Sequence, residues 1–226
     1  MRTAAILPVK RFTRAKQRLG VSVGEEIRAG LARAMVADVL DALSQTPAIA
    51  QTIVVSGADS VVAAALERGA LVAHDSEEES QSAAVVLGIQ RALAEGFQRV
   101  LCIPGDCPAL DPGELDALLC APAPAVVIVP DRHGTGTNGL LLTPPDAILP
   151  SFGPGSFARH RALAREAGAA WEVRRPSSLL LDIDTGEDLA VLRERLGAER
   201  GGAAARTRLV LGAAESGQVL PITTLA

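Results

Sequence analysis

Short, unbroken apolar runs alternate along the chain with longer stretches in which apolar residues return every three or four positions. Ala4-Ala5-Ile6-Leu7-Pro8-Val9, Thr52-Ile53-Val54-Val55, Ala70-Leu71-Val72-Ala73, Val100-Leu101-Cys102-Ile103 and Ala125-Val126-Val127-Ile128-Val129 are each too short for a helix and bounded by turn residues. They read as buried strands. Between them, Ile27, Leu31, Ala34, Met35, Val39, Leu40 and Leu43 keep helical spacing over 24 to about 45, and further helices are predicted over 59–68 and 83 to about 95. Gly96 stops the last of these. Asp111-Pro112-Gly113-Glu114 combines an N-cap, a proline at the first helical position and a glutamate three after the cap, so another helix begins there. Ser156 is a candidate N-cap for a helix through about 166, and Thr185 with Asp188 resembles a capping box ahead of Leu189, Leu192 and Leu196. Strands and helices in strict alternation predict an α/β fold, a doubly wound sheet with helices on both faces.

Composition narrows this picture. With 226 residues, 48% of them hydrophobic and only 2% aromatic, the chain can build one sizeable core packed mainly by Ala, Val and Leu. The expected domain spans 1–197. Beyond it, a tail over 198–226 contains Gly201-Gly202-Ala203-Ala204-Ala205, which reads as a flexible linker, then a short apolar segment, Leu209-Val210-Leu211, with no assigned role. Twenty-two basic against 26 acidic residues give a formal charge of −4, which argues against a general nucleic-acid or membrane-surface binder and for a small-molecule partner. Cys102, Cys107 and Cys120 are odd in number and lack paired spacing, so they are expected to be reduced, with no zinc site. No secretory leader and no stretch of membrane-spanning length is visible, and a cytoplasmic protein is expected.

Candidate chemistry collects where predicted strands end. Gly105-Asp106 follows one strand and precedes a helix, at the sheet edge where open α/β folds bind ligands. Alone, such an aspartate is as readily a turn residue. Asp182 and Asp184 alternate by two and so share a side of an extended segment; two carboxylates held together repel unless a cation lies between them, and oxygen ligands suit Mg²⁺. Lys10, Arg11, Arg14, Lys16 and Arg18 crowd the loop behind the first strand, either a solvated charged loop or a cradle for a triphosphate. Asp131-Arg132-His133-Gly134-Thr135-Gly136-Thr137 offers backbone amides and hydroxyls to an anion, although a hairpin would look similar. Ser80 or Ser82 caps the helix at 83, and their loop is also able to hydrogen-bond a base. His74, alone at a strand end, reads as a loop residue rather than a ligand, and Arg159 and His160 either assist an anion at the start of the helix at 156 or face water.

These segments, in this order and spacing, resemble the 2-phospho-L-lactate guanylyltransferase family, whose bacterial members include phosphoenolpyruvate guanylyltransferases of deazaflavin coenzyme F(420) biosynthesis. The resemblance runs from about 4 to 196 and rests on Val9-Lys10-Arg11 with Ala15-Lys16-Gln17-Arg18-Leu19, on Gly105-Asp106-Cys107-Pro108-Ala109-Leu110, on the 131–137 loop, on Phe152-Gly153-Pro154-Gly155-Ser156 with Ala158-Arg159-His160, and on Asp182-Ile183-Asp184-Thr185. It implies a three-layer sandwich of the nucleotidyltransferase, glycosyltransferase-A-like kind, with a mostly parallel seven-strand sheet. It implies that Asp106, Asp182 and Asp184 hold Mg²⁺, with Asp106 and Lys16 catalytic. Lys10, Arg11, Lys16 and Ser82 fall to GTP, and Thr137, Gly153 and Ser156 to a phosphorylated carboxylic acid. Where relatives carry Leu-Asn before the helix at 83, this chain has Gln81-Ser82, which bears on the choice of base.

No Ser-His-Asp or Cys-His set is visible, whereas acidic and basic clusters abound. That balance fits phosphoryl transfer, in which an ionised phosphate attacks without a dedicated base and catalysis is positioning and charge neutralisation. The alternatives are a same-fold enzyme with another acceptor, such as 3-phospho-D-glycerate, molybdopterin or a sugar phosphate, and a nucleotide-binding module without turnover. Sugar-phosphate and molybdopterin enzymes usually carry a Gly-rich first loop, which Lys10-Arg11-Phe12-Thr13 lacks.

Overall fold

In the computed structural model, which describes residues 1–10, 25–198 and 203–216, the predicted runs line up as one sheet. Its strands are β1 (Thr3–Pro8), β2 (Gln51–Ser56), β3 (Leu71–His74), β4 (Arg99–Cys102), β5 (Val126–Pro130), β6 (Thr137–Leu142) and β7 (Trp171–Val173). The order is β3-β2-β1-β4-β6-β5-β7, and every pairing is parallel except the two made by β6. The seven helices described are α1 (Glu25–Ser44), α2 (Asp59–Glu67), α3 (Gln81–Ala94), α4 (Pro112–Cys120), α5 (Ser156–Glu166), α6 (Gly186–Ala198) and α7 (Ala205–Glu215).

The central strands are apolar throughout because both faces are covered. Along β1, Ala5 and Leu7 join the core formed with Val39, Leu40 and Leu43 of α1, Val61 of α2 and Leu115 of α4. Ala4 and Ile6 point the other way, to Val85 and Ile89 of α3 and Ala164 of α5. Helix, sheet and helix thus form three layers. Gly88 lets α3 lie against the sheet: a Cβ there would meet Ile6 Cγ2 at 2.4 Å.

Three local expectations change. The tail's apolar segment, given no role by sequence, lies in α7, whose Val210 and Leu211 join a third core with Leu31 and Met35 of α1 and Leu189, Leu192 and Leu196 of α6. Its cap comes from a distant residue. Asp38 of α1 accepts hydrogen bonds from the amides of Arg206 (3.0 Å) and Thr207 (2.8 Å) and from the Thr207 hydroxyl (2.7 Å). Strand β7 was not anticipated, being only three residues long and without a period of its own. At α5, the N-cap is Gly155 at φ 72°, a left-handed position that favours glycine, and Ser156 is the first helical residue. All three cysteines are free, Cys102 and Cys107 buried and Cys120 exposed. Among the described residues no helix is long and apolar enough to cross a membrane.

Candidate active site

β1, β2, β4 and β5 end at one rim of the sheet, and β6, running the other way, begins there. A cleft of about 620 Å³ opens at this rim, bounded on one side by Asp106, Asn138, Asp182 and Asp184 and on the other by Asp131, Thr135, Thr137, Gly153 and Ser156. A recess of about 170 Å³ adjoins it across Gln81, Pro104 and Asp106 and reaches Lys10.

The carboxylate side is built from two chain segments tied by backbone. Gly105 brings the turn after β4 close to α1, where an added Cβ would come within 2.9 Å of Val36 Cγ2. The next carbonyl, that of Asp106, accepts a hydrogen bond from the Ile183 amide at 3.0 Å. Ile183 is fully buried in the third core, so Asp182 and Asp184 on either side of it face the cleft. Asn138 braces the pair from β6: its Nδ2 donates to Asp182 Oδ1 at 3.1 Å and to the Leu179 carbonyl at 3.0 Å. Burial, and then the neighbouring Asp106 and Asp184 charges, push Asp182 up to about 6 against the opposing Asn138 hydrogen bond. Behind them, Asp188 accepts from the amide (2.8 Å) and hydroxyl (2.7 Å) of Thr185 and pairs with Arg132 at 2.7 Å. Burial alone would raise Asp188, yet these partners hold it below the usual carboxylate range.

Asp106, Asp182 and Asp184 offer hard oxygen donors to a divalent cation from the lining of one cleft. Among the described residues no three acidic, His or Cys side chains are grouped so that they could hold a metal ion by themselves. This open arrangement fits Mg²⁺ better than Ca²⁺, since Mg²⁺ is commonly held by one or two carboxylates and completed by water and substrate phosphates.

The facing side is hydrogen-bonded throughout. Asp131 accepts from the amides of Thr135 (2.8 Å) and Gly136 (2.7 Å) and from the Thr135 hydroxyl (3.0 Å). Burial pushes this carboxyl up, but those donors outweigh it and keep it low. The amides expected to greet an anion at Thr135 and Gly136 are therefore taken by Asp131. The adjoining 151–154 loop is fastened by three side chains. Ser82 Oγ accepts from the Phe152 amide at 2.8 Å. Arg159 donates to the carbonyls of Ser151 (3.1 Å), Phe152 (3.0 Å) and Pro154, and His160 Nε2 accepts from the Ser151 amide at 2.9 Å. Gly153, at φ 101°, makes the turn that leads into α5.

Of the residues singled out from sequence, Asp106, Thr137, Gly153, Ser156, Asp182 and Asp184 share the cleft, and Lys10 stands in the recess. Ser82 binds the loop backbone, while its neighbour Gln81 lines both cavities. Arg11 and Lys16 lie outside the described residues. Sequence reading gives Asn138 no role, places Gln81 with Ser82 in a loop that bears on the choice of base, and takes the 131–137 loop for its amides and hydroxyls. The Asp131 to Thr135 spacing, an aspartate able to fold back on following amides, was the available signal there.

Comparison with known proteins agrees with this arrangement. The model of the family described as guanylyl transferase CofC like matches residues 3–194. A phosphoenolpyruvate guanylyltransferase of Conexibacter woesei is 49% identical over 207 residues, covering 90% of this chain and 93% of that protein. A 2-phospho-L-lactate guanylyltransferase of Methanothermobacter thermautotrophicus is 34% identical, covering 84% of this chain and 83% of that protein. Among solved structures, a nucleotidyl transferase from Methanothermobacter superposes with a TM-score of 0.61 at 21% identity, over 88% of this chain and 99% of that one, which supports the fold. A three-layer nucleotidyltransferase sandwich, a rim of aspartates and sequence identity over nearly its whole length make this chain an enzyme of the CofC-like guanylyl transferase family.

Proposed function

We propose that the enzyme transfers the GMP moiety of GTP to the phosphate of a small phosphorylated carboxylic acid, phosphoenolpyruvate first and 2-phospho-L-lactate next, in the cytoplasmic assembly of a deazaflavin coenzyme. The observation that carries this reading is that Asp106, Asp182 and Asp184 line one cleft together with Thr137, Gly153 and Ser156. A phosphate oxygen of the acceptor attacks the α-phosphorus of GTP in line. The bond from that phosphorus to the oxygen bridging the α- and β-phosphates breaks, and its electron pair leaves with pyrophosphate. An ionised phosphate needs no base to activate it.

Asp106, Asp182 and Asp184 are the residues that would hold Mg²⁺, which when bound neutralises triphosphate oxygens. Asn138 keeps Asp182 aimed at the cleft, and the Ile183 to Asp106 backbone bond keeps the two acidic segments together. Lys10 offers a positive charge to the nucleotide from the recess, and Lys16 and Arg11 are proposed to join it on the triphosphate. Thr137, Ser156 and the Gly153 backbone receive the carboxylate-bearing acceptor. Phosphoenolpyruvate is preferred because the phosphoenolpyruvate-named relative is the more similar of the two at the level of identity.

The test is incubation with GTP, Mg²⁺ and each of phosphoenolpyruvate, 2-phospho-L-lactate and 3-phospho-D-glycerate, with ATP and CTP as controls, reading products by mass spectrometry. A guanosine diphosphate-bridged acid with stoichiometric pyrophosphate is expected. Pyrophosphate release without such a product, or a product from ATP or CTP alone, overturns the reading.

A further inference from the structure

Behind the acceptor side of the cleft lies a buried group to which the proposed chemistry gives no work. His160 of α5 is fully buried, with the Phe152 ring edge-on at 5.0 Å and Arg159 as the neighbouring charge. Both ring nitrogens are engaged. Nδ1 lies 3.0 Å from Thr137 Oγ1, and Nε2 lies 2.9 Å from the amide nitrogen of Ser151. A peptide N–H can only donate, so Nε2 accepts and carries a lone pair. The ring proton is then on Nδ1 and points at Thr137. Burial, helped by the Arg159 charge, drives the imidazole down to about 4 and keeps it neutral.

With Nδ1–H donating, Thr137 Oγ1 accepts, and its own hydrogen is turned away from the ring. Thr137 lines the cleft. A hydroxyl held this way offers its proton to whatever enters, which suits an anionic oxygen. We propose that His160 is a positioning residue that fixes the Thr137 hydroxyl as a hydrogen-bond donor toward the anionic acceptor and, through Ser151, sets the place of the 151–154 loop. The inference rests on reading this side of the cleft as the acceptor pocket. Neither nitrogen is left for proton transfer, so His160 acts only through Thr137 and Ser151.

Two amide replacements separate the two bonds. His160→Asn places an amide near the Nδ1 position and can still donate to Thr137, whereas His160→Gln reaches the Nε2 position and can still accept from Ser151. His160→Gln is expected to raise KM for phosphoenolpyruvate about tenfold with KM for GTP within about twofold, the loss of one hydrogen bond to a charged group. His160→Asn should recover most of that loss, because Ser82 and Arg159 still fasten the 151–154 loop when the Ser151 bond is given up. Equal rises in both KM values, or equal effects of the two variants, would overturn the proposal.

A second measurement needs no variant. Nitrogen-15 NMR of the wild-type protein should show a neutral, Nδ1-protonated His160 from about pH 5 to about pH 8. An active enzyme with an Nε2-protonated or charged ring overturns this inference alone. A protein with the expected tautomer that turns over none of the acids overturns the acceptor reading, and the role of the hydroxyl with it.

Discussion

The two sides of the cleft are built on opposite plans. On the acceptor side, Asp131, Ser82, Arg159 and His160 spend their hydrogen bonds on loop backbone, so the loop shape exists before any substrate arrives. On the acidic side, Asp182 is buried beside Asp106 and Asp184, and burial first, then those neighbouring charges, push it up to about 6. One side is finished; the other is completed only by positive charge. The lesson is that preorganisation and unbalanced charge can share one cleft; in the function proposed above, the first would orient an acceptor and the second would collect a cation with its nucleotide.

Four changes break or sharpen this contrast. Removing a charge from the acidic side, by Asp106→Asn, should lower turnover about a thousandfold or more, read as pyrophosphate release, while circular dichroism stays native. The finished side should show its strength in acid. His160 titrates near 6.5 when unfolded and about 4 when folded, so between these values the unfolded chain binds more protons and stability falls as the pH drops. The loss across that window is about 3 kcal/mol by linkage, measured by urea denaturation, and His160→Asn should flatten the curve. Relieving repulsion by Asp182→Asn should stabilise the metal-free protein by about 1–2 kcal/mol near pH 8 and weaken the thermal shift given by Mg²⁺ with GTP. The smallest effect is expected from Arg159→Lys, which cannot serve three loop carbonyls from one planar fork: about a tenfold rise in acceptor KM with GTP KM unchanged.

Much of the framework was legible because it depends on local pattern. The runs around Ile6, Val54, Leu101 and Ile128 are apolar on both faces and could only be central strands. The Thr185 and Asp188 box formed as written, with the Thr185 hydroxyl also accepting from the Asp188 amide. Glu114 shows the limit. The spacing suits a capping box with Asp111, and Asp111 does accept from the Glu114 amide, but the Glu114 carboxylate goes instead to Ser177 and Ser178, sixty-odd positions away. Asp38 and α7, Ser82 and Phe152, and Asn138 and Asp182 are likewise pairings between remote segments that no local spacing encodes. Asp106 could be picked out just past a strand, and Asp182 and Asp184 by their alternation ahead of a helix; the side chains that aim them could not.

The reversed direction of β6 carries a consequence for how this enzyme can diverge. Thr137 and Asn138 are consecutive at the strand's entrance, so one faces His160 and the other Asp182, on opposite sides of the sheet. A one-residue slip of β6 against its neighbours would turn each of these side chains to the other side of the sheet and break both contacts. The register of that strand is therefore as much a part of the site as any side chain in it.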